Sequence, residues 1–123
     1  MKELAYIHAE GYSAGELKHG PFALLDERTP TVAILADDDT HQAMLSSIHE
    51  VRARSSPVIA ISYDGDEMVD TLASFTIKLP KVAYPLSPII RAVALQLLAY
   101  HAAKARACPI DFPRNIAKSV TVE

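Results

Sequence analysis

The six residues TVAILA, at positions 31–36, form an unbroken apolar run that is rich in β-branched side chains. Such a run predicts a strand buried on both faces of a parallel sheet, and we expect this strand to be central. A second run, PVIAISY at 57–63, has the same character. The segment SFTIKLP at 74–80 instead alternates apolar and polar residues, which predicts a half-covered edge strand that ends at Pro80.

Helical spacing appears between and after these strands. The segment 40–54, THQAMLSSIHEVRAR, carries apolar residues at i, i+1, i+4 and i+7, so it predicts an amphipathic helix with a possible cap at Thr40. The segment 86–106 repeats apolar residues at three- and four-residue steps, with Pro85 near its start. It predicts a long and largely buried helix.

The beginning of the chain predicts a helix over 2–14, despite Gly11. The following segment, GELKHGPFALLDERTP at 15–30, contains two glycines and a proline, which indicate a break, a short helical turn and a loop. No capping side chain precedes Glu3, so the sequence looks cut from something longer.

The order of strands and helices is typical of an α/β layered fold with a mainly parallel sheet. Three strands are few for such a sheet, which usually has about five. We therefore expect that a first strand lies upstream of Met1.

Composition restricts the function classes. The chain has 123 residues, which is enough for one domain, and half of them are hydrophobic. A formal charge of −3 gives no reason to expect nucleic acid or an anionic membrane as a partner. No apolar run reaches the length of a bilayer span. The single cysteine, Cys108, cannot form an internal disulfide, which favours the cytoplasm.

Ligands of open α/β sheets bind beyond the carboxyl ends of the strands, so the loops after Ala36 and Tyr63 are the first places to consider. The acidic stretches DDD at 37–39 and DGDE at 64–67 fall there. Neither has the full spacing of a metal site, and both are interpreted as solvated turns. We expect neither a metal nor a cofactor.

The histidines and the chain end offer acid–base and nucleophilic groups. His8, His41, His49 and His101 fall in predicted helices and are interpreted as structural or surface residues. His19 instead lies in the irregular connector beside Gly20, where it could serve as an acid or base.

Near the chain end, Lys118 follows a segment whose two prolines, Pro109 and Pro113, forbid a regular helix. It belongs either to a frayed end or to an arm that delivers an amine into a site. An imine-forming lysine, a carboxylate that moves a carbon-bound proton and an imidazole would together make a coherent set. Lys118, Glu3 and His19 are candidates, but spacing alone carries the interpretation no further than a soluble α/β domain.

Two stretches, HAEGYSAGELKHGPFALLD at 8–26 and DFPRNIAKSVTVE at 111–123, carry a family likeness. The chain closely resembles the carboxy-terminal end of the glutamine–fructose-6-phosphate aminotransferase (isomerizing) family, also called the glucosamine-6-phosphate synthase family. The likeness extends through VRARSSPVIAI and VALQLLAYHAA and covers essentially the entire chain. The motif AGELKHGP is shared more loosely among sugar isomerase (SIS) domains that bind phosphosugars.

The resemblance implies a three-layer α/β/α, flavodoxin-like SIS subdomain. Residues 1–108 would form part of the second such subdomain of the family, and 109–123 a tail that carries the Schiff-base lysine. The implied enzyme converts fructose 6-phosphate and glutamine into glucosamine 6-phosphate and glutamate, the entry step to hexosamine and UDP-N-acetylglucosamine synthesis.

Site roles follow from the same resemblance. Lys118 matches the lysine that forms a Schiff base with the open-chain ketose, and Glu3 matches the carboxylate that transfers a proton between C1 and C2. His19 matches the histidine that assists ring opening and reaches a neighbouring subunit's site, which implies a homodimer. Ala117 matches a position where the tail backbone touches the sugar.

Departures from the family pattern qualify these roles. Lys2 follows Met1 where the family's glutaminase domain begins with a nucleophilic cysteine, and the phosphate-gripping Ser/Thr loop belongs to a preceding SIS subdomain. We therefore expect that the chain, a carboxy-terminal fragment, alone neither aminates nor isomerises the sugar at a useful rate. Two alternatives stay open: a non-catalytic SIS module that binds a phosphosugar, and a deglycase relative that acts on fructosamine phosphates.

Overall fold

A computed structural model of the chain describes residues 1–114. Within them lie three strands, β1 (Thr31–Ile34), β2 (Val58–Tyr63) and β3 (Phe75–Leu79), and three α-helices, α1 (Lys2–Ala5), α2 (His41–Arg52) and α3 (Ser87–Ala105). Short 3-10 helices cover Ala14–His19, Pro21–Leu24, Val69–Thr71 and Tyr84–Leu86. The predicted alternation of strands and helices is confirmed.

The chain divides into two compact units. One unit, Tyr12–Arg91, contains the whole sheet, α2 and the start of α3. The other joins Met1–Gly11 to the described residues from Ala92 onward.

The sheet is parallel, in the order β1-β2-β3. The prediction that β1 is central was wrong, because β2 occupies the centre of the described sheet and β1 lies at an edge. Val32 and Ile34 are 37% and 38% exposed, whereas Ala33 is buried between them. Only one face of β1 is therefore buried, although its apolar run continues onto the other face. The prediction that β3 is an edge strand is confirmed.

The core of the Tyr12–Arg91 unit lies between the sheet and α2. The helix contributes Leu45, Ile48 and Val51, which share one face at helical spacing and are nearly inaccessible to solvent. They pack in one cluster with strand residues such as Ala60 and with Leu35. The amphipathic helix predicted over 40–54 is thus confirmed, and its apolar stripe attaches it to the sheet.

Helix α1 is much shorter than predicted. The helix expected over 2–14 ends at Ala5, because Tyr6 adopts the left-handed conformation with φ 53° and ψ 38°. No side chain caps this single turn, and such a short helix is not self-sustaining in water. The residues beyond it have other partners. The Tyr6 hydroxyl accepts a hydrogen bond from the Arg114 amide at 2.8 Å, and Lys2 Nζ lies 2.7 Å from Glu10 Oε1.

Helix α3 lies within its predicted bounds of 86–106, but the expectation that it is largely buried was wrong. Its large side chains are exposed, among them Ile89 and Leu97 at 60% and 53%, while the small Ala103 is fully buried. With the preceding turn, the segment Tyr84–Ala105 is long and apolar enough to cross a bilayer by length and composition alone. One such helix is weak evidence for a membrane span.

Candidate functional site

The structure describes two of the four site residues predicted from the sequence. Glu3 lies in α1 and His19 is the last residue of the 3-10 helix Ala14–His19, and both are exposed. They belong to different compact units. Ala117 and Lys118 lie outside the described residues. The catalytic roles of Glu3, His19 and Lys118 and the sugar contact of Ala117 remain predictions.

His19 stands at a break between two 3-10 helices. Gly20 follows it with φ 138° and ψ −48°, a conformation that side-chain-bearing residues rarely adopt. Pro21 then begins the next 3-10 helix, and the Ala23 amide donates to the Gly20 carbonyl at 2.9 Å. The irregular connector predicted from the sequence is confirmed, and it presents His19 at the surface.

An open groove of about 510 Å³ lies in this region and is lined by Lys18, Gly20, Phe22, Ala23, Glu50 and Arg54. The Arg54 guanidinium carbon lies 3.8 Å from the centre of the Phe22 ring. A terminal nitrogen of the same guanidinium donates to the Glu50 carbonyl. Phe22 also packs against the hydrophobic core, so the ring is held on two sides.

A second cavity, of about 240 Å³, opens at the carboxyl edge of the sheet. Its walls include Asp37, Tyr63, Lys81 and Arg91. Lys81 Nζ lies 3.0 Å from Asp37 Oδ2 and 4.6 Å from the centre of the Tyr63 ring. The Arg91 side chain donates from Nε to the Leu35 carbonyl at 3.2 Å, which ties the start of α3 to the residue that follows β1.

Electrostatics at this cavity follow from these contacts. The hydrogen bond from Lys81 holds the pKa of the Asp37 carboxyl below its usual range, despite partial desolvation. Burial, and then the neighbouring Asp37 carboxylate, raise the pKa of the Tyr63 hydroxyl. The cavity thus carries a paired acid and base, Asp37 and Lys81, beside a phenol that stays protonated at neutral pH.

Asp66, in the loop after β2, is only 4% exposed. The interpretation of DGDE as a solvated turn was therefore wrong for this residue. Its Oδ2 lies 2.9 Å from His41 Nε2 and accepts a hydrogen bond from the Ser62 hydroxyl. Lys78 donates to its main-chain carbonyl and pairs with Asp70 at 3.0 Å.

These hydrogen bonds decide the charge state of Asp66. Burial alone would raise the pKa of its carboxyl, but the hydrogen bonds from Ser62 and His41 outweigh burial and hold that pKa below its usual value. The result is a buried carboxylate that stays ionised at neutral pH.

Sequence reasoning missed the pair of His41 and Asp66, which are 25 positions apart. No local spacing signals such a pair. One signal was available, because both residues follow the carboxyl ends of neighbouring parallel strands, where loops converge. His41 lies in a helix, as predicted, and its side chain is 12% exposed.

The carboxylates of the DDD stretch have local partners. Asp37 pairs with Lys81, and Asp38 Oδ1 accepts from the Thr40 amide at 2.8 Å and from its hydroxyl at 2.6 Å. Within residues 1–114, no three His, Cys, Asp or Glu side chains are grouped closely enough to hold a metal ion.

Residues 1–106 match the family model of the SIS domain. The chain belongs to the SIS domain family. Over all 123 residues this SIS domain is 49% identical to the glutamine–fructose-6-phosphate aminotransferase (isomerizing) of Chlorobaculum tepidum. The enzymes of that name from Methanosarcina mazei and Thermus thermophilus are 52% and 51% identical to it. The chain spans about a fifth (20%) of the length of these relatives.

A solved structure agrees with this result. The C-terminal domain of glucosamine-fructose-6-phosphate aminotransferase from Francisella tularensis superposes with a TM-score of 0.78 at 35% identity. The match covers 89% of this SIS domain and 31% of the other chain. The resemblance inferred from the sequence motifs and the α/β fold class are both confirmed.

Proposed function

We propose that this SIS domain is the carboxy-terminal part of the isomerase portion of a glutamine–fructose-6-phosphate aminotransferase. The observation that carries the proposal is identity of 49–52% to enzymes of that name along all 123 residues. A match to the SIS fold alone would end at residue 106, whereas this likeness continues through the tail. Its substrate would be fructose 6-phosphate, and its compartment the cytoplasm.

In the proposed chemistry, the Lys118 amine adds to the C2 carbonyl of the open-chain sugar and water leaves, which forms an imine. Glu3 then moves a proton from C1 to C2, and His19 assists the earlier opening of the sugar ring. Lysine is mostly protonated at neutral pH, so the assembled site must disfavour the ammonium form by desolvation or nearby positive charge. Ala117 is small enough to let the backbone approach the sugar.

The exposure of Glu3 and His19 supports these roles, because both side chains are accessible to a ligand or to another subunit. A homodimer in which His19 completes the partner's site is part of the proposal. Segments equivalent to the rest of the relatives' length would supply the phosphate grip and the ammonia.

Borohydride trapping tests the proposal. The chain is incubated with fructose 6-phosphate and sodium borohydride, and the modified residue is identified by peptide mass spectrometry. We expect a reduced adduct on Lys118 that disappears in Lys118→Arg. Lys104→Arg, which changes an exposed lysine in the last turn of α3, is the matched control and should keep the adduct. Equal labelling of many lysines, or none at Lys118, would contradict the proposal.

A second function, a phosphosugar-binding module without catalysis, is favoured by one observation. The SIS domain match ends at residue 106, before the tail that carries Lys118. Calorimetry with fructose 6-phosphate separates the two functions. Saturable binding without a trappable imine supports the binding module, and an adduct on Lys118 excludes it.

A further inference from the structure

The orientation of His19 depends on the backbone that follows it. The side chain is exposed, and the 3-10 helix that ends at His19 has no side-chain cap. The break at Gly20 gives the backbone a conformation that must be held by neighbouring contacts. Whatever fixes residues 20–23 therefore also fixes the direction of the imidazole.

Two side chains hold this connector against the core, Leu17 before His19 and Phe22 after the break at Gly20. One side of the Phe22 ring packs against the core cluster of the sheet and α2. The guanidinium of Arg54 covers it at 3.8 Å, within the distance of a favourable cation–π contact. Phe22 is only three positions from His19, so a shift of the ring moves the turn that carries the histidine.

Arg54 is itself held in place. It follows the end of α2, and its guanidinium donates to the Glu50 carbonyl in the last turn of that helix. The chain then turns through Ser55, which has φ 64°. Ser56 is buried, and its hydroxyl donates to the Thr29 carbonyl at 2.7 Å. The Arg54 guanidinium over Phe22 thus projects from a segment that is held by α2 before it and by the hydrogen bond of Ser56 after it.

We propose that Arg54 and Phe22 are positioning residues for His19: the guanidinium clamps the ring and so holds the Gly20 turn that aims the imidazole. The inference rests on the proposed function for the role of His19, but the clamp itself can be measured without any substrate.

NMR on the ligand-free chain tests the clamp. Arg54→Met removes the cation and Phe22→Leu removes the ring, while each keeps much of the apolar volume. The Ala23 amide, which donates to the Gly20 carbonyl, should exchange about fivefold faster in both variants. The backbone amide chemical shifts of His19 and Gly20 should change in both variants, because the turn between them is no longer held. Phe22→Tyr keeps the aromatic ring, so it should keep the wild-type exchange rate of Ala23 and the wild-type amide shifts of His19 and Gly20.

Arg52→Met is the matched control, because Arg52 lies two positions earlier and donates instead to the Thr71 carbonyl at 3.3 Å. It should leave the exchange rate of the Ala23 amide and the amide chemical shifts of His19 and Gly20 unchanged. The proposal is contradicted if Arg54→Met and Phe22→Leu keep the wild-type Ala23 exchange rate and His19 and Gly20 amide shifts. It is also contradicted if Arg52→Met changes these quantities as much as Arg54→Met does.

Imine trapping tests whether the contact between Arg54 and Phe22 affects the ring opening that is proposed for His19. Fructose 6-phosphate must open its ring before it reacts, whereas dihydroxyacetone phosphate has no ring. The initial trapping rate with fructose 6-phosphate should fall several-fold in both Arg54→Met and His19→Ala, with the acyclic probe unaffected. If only His19→Ala slows trapping, the positioning role is wrong. If neither variant slows it while Lys118 is still labelled, the ring-opening role of His19 is wrong.

Discussion

At the scale of single residues, Asp66 shows how a buried charge is tolerated. Removing a carboxylate from water is costly, and the cost is offset only when its oxygens are hydrogen-bonded. Asp66 receives such bonds from Ser62 and His41, which join the loop after β2 to the strand itself and to α2. The carboxylate therefore fixes the loop at the carboxyl edge of the sheet.

Replacing the charge of Asp66 should destabilise the fold. We expect Asp66→Asn to lower the free energy of unfolding by about 2 kcal/mol, because the hydrogen bonds to a buried charged acceptor are weakened. Urea unfolding followed by circular dichroism measures the change. Asp64→Asn, an exposed carboxylate in the same loop, is the control and should shift stability by less than about 0.5 kcal/mol.

The same carboxylate should contribute to acid sensitivity. Its folded-state pKa lies below the unfolded value near 3.9, so its stabilising contribution is complete above about pH 5. That contribution is lost as the pH falls through the unfolded value toward the folded pKa. Between pH 5 and pH 3 the wild type should lose stability more steeply than Asp66→Asn. Parallel curves would show that Asp66 titrates alike in both states.

At the scale of elements, the start of α2 differs from its prediction in one detail. Thr40 occupies the capping position, as expected, but its own side chain makes no capping bond. Asp38 instead accepts hydrogen bonds from the Thr40 amide and hydroxyl, and these bonds lower the pKa of its carboxyl. Asp38, in the acidic stretch after β1, thus holds the residue that precedes α2.

Asp38→Ala should therefore weaken the start of α2. We expect a lower unfolding free energy, because the Thr40 amide and hydroxyl lose the carboxylate that accepts their hydrogen bonds. Asp39→Ala, which alters the adjacent exposed carboxylate, should change stability by less than about 0.5 kcal/mol. Similar losses in the two variants, measured by thermal unfolding, would mean that the acidic stretch acts only through its total charge.

Helix α3 allows a test of whether burial or side-chain hydrophobicity determines the cost of a substitution. Ala103 is fully buried, so Ala103→Leu should overpack its site and cost about 1–3 kcal/mol. Leu97 is 53% exposed, and Leu97→Gln should cost no more than about 0.5 kcal/mol. Chemical unfolding compares the two. If Leu97→Gln proves the more harmful change, the face that the helix buries has been assigned wrongly.

At the scale of the whole molecule, the thiol of the single cysteine is poorly placed for glutamine hydrolysis among the residues that the structure describes, 1–114. Its one cysteine, Cys108, is half-buried, and its thiol lies 3.9 Å from the carbonyl oxygens of Ala5 and Arg106, neither of which is a base. A nucleophilic thiol needs an activating base or nearby positive charge.

We therefore expect this chain to release glutamate from glutamine no faster than buffer, with or without fructose 6-phosphate. A coupled glutamate dehydrogenase assay measures the rate. Cys108→Ser should leave the background unchanged. Release above background that disappears in Cys108→Ser would contradict this expectation and assign the thiol a catalytic role.

The sequence by itself determined the order of the elements, the parallel α/β class and the family, because these depend on local periodicity and on motifs contiguous in the chain. Only the tertiary structure decided that β2 is central, that α3 buries alanines such as Ala103, and that His41 meets Asp66. Each of these depends on which distant segments share a surface. Apolar periodicity shows that a face exists, but what packs against it depends on the packing of the entire chain.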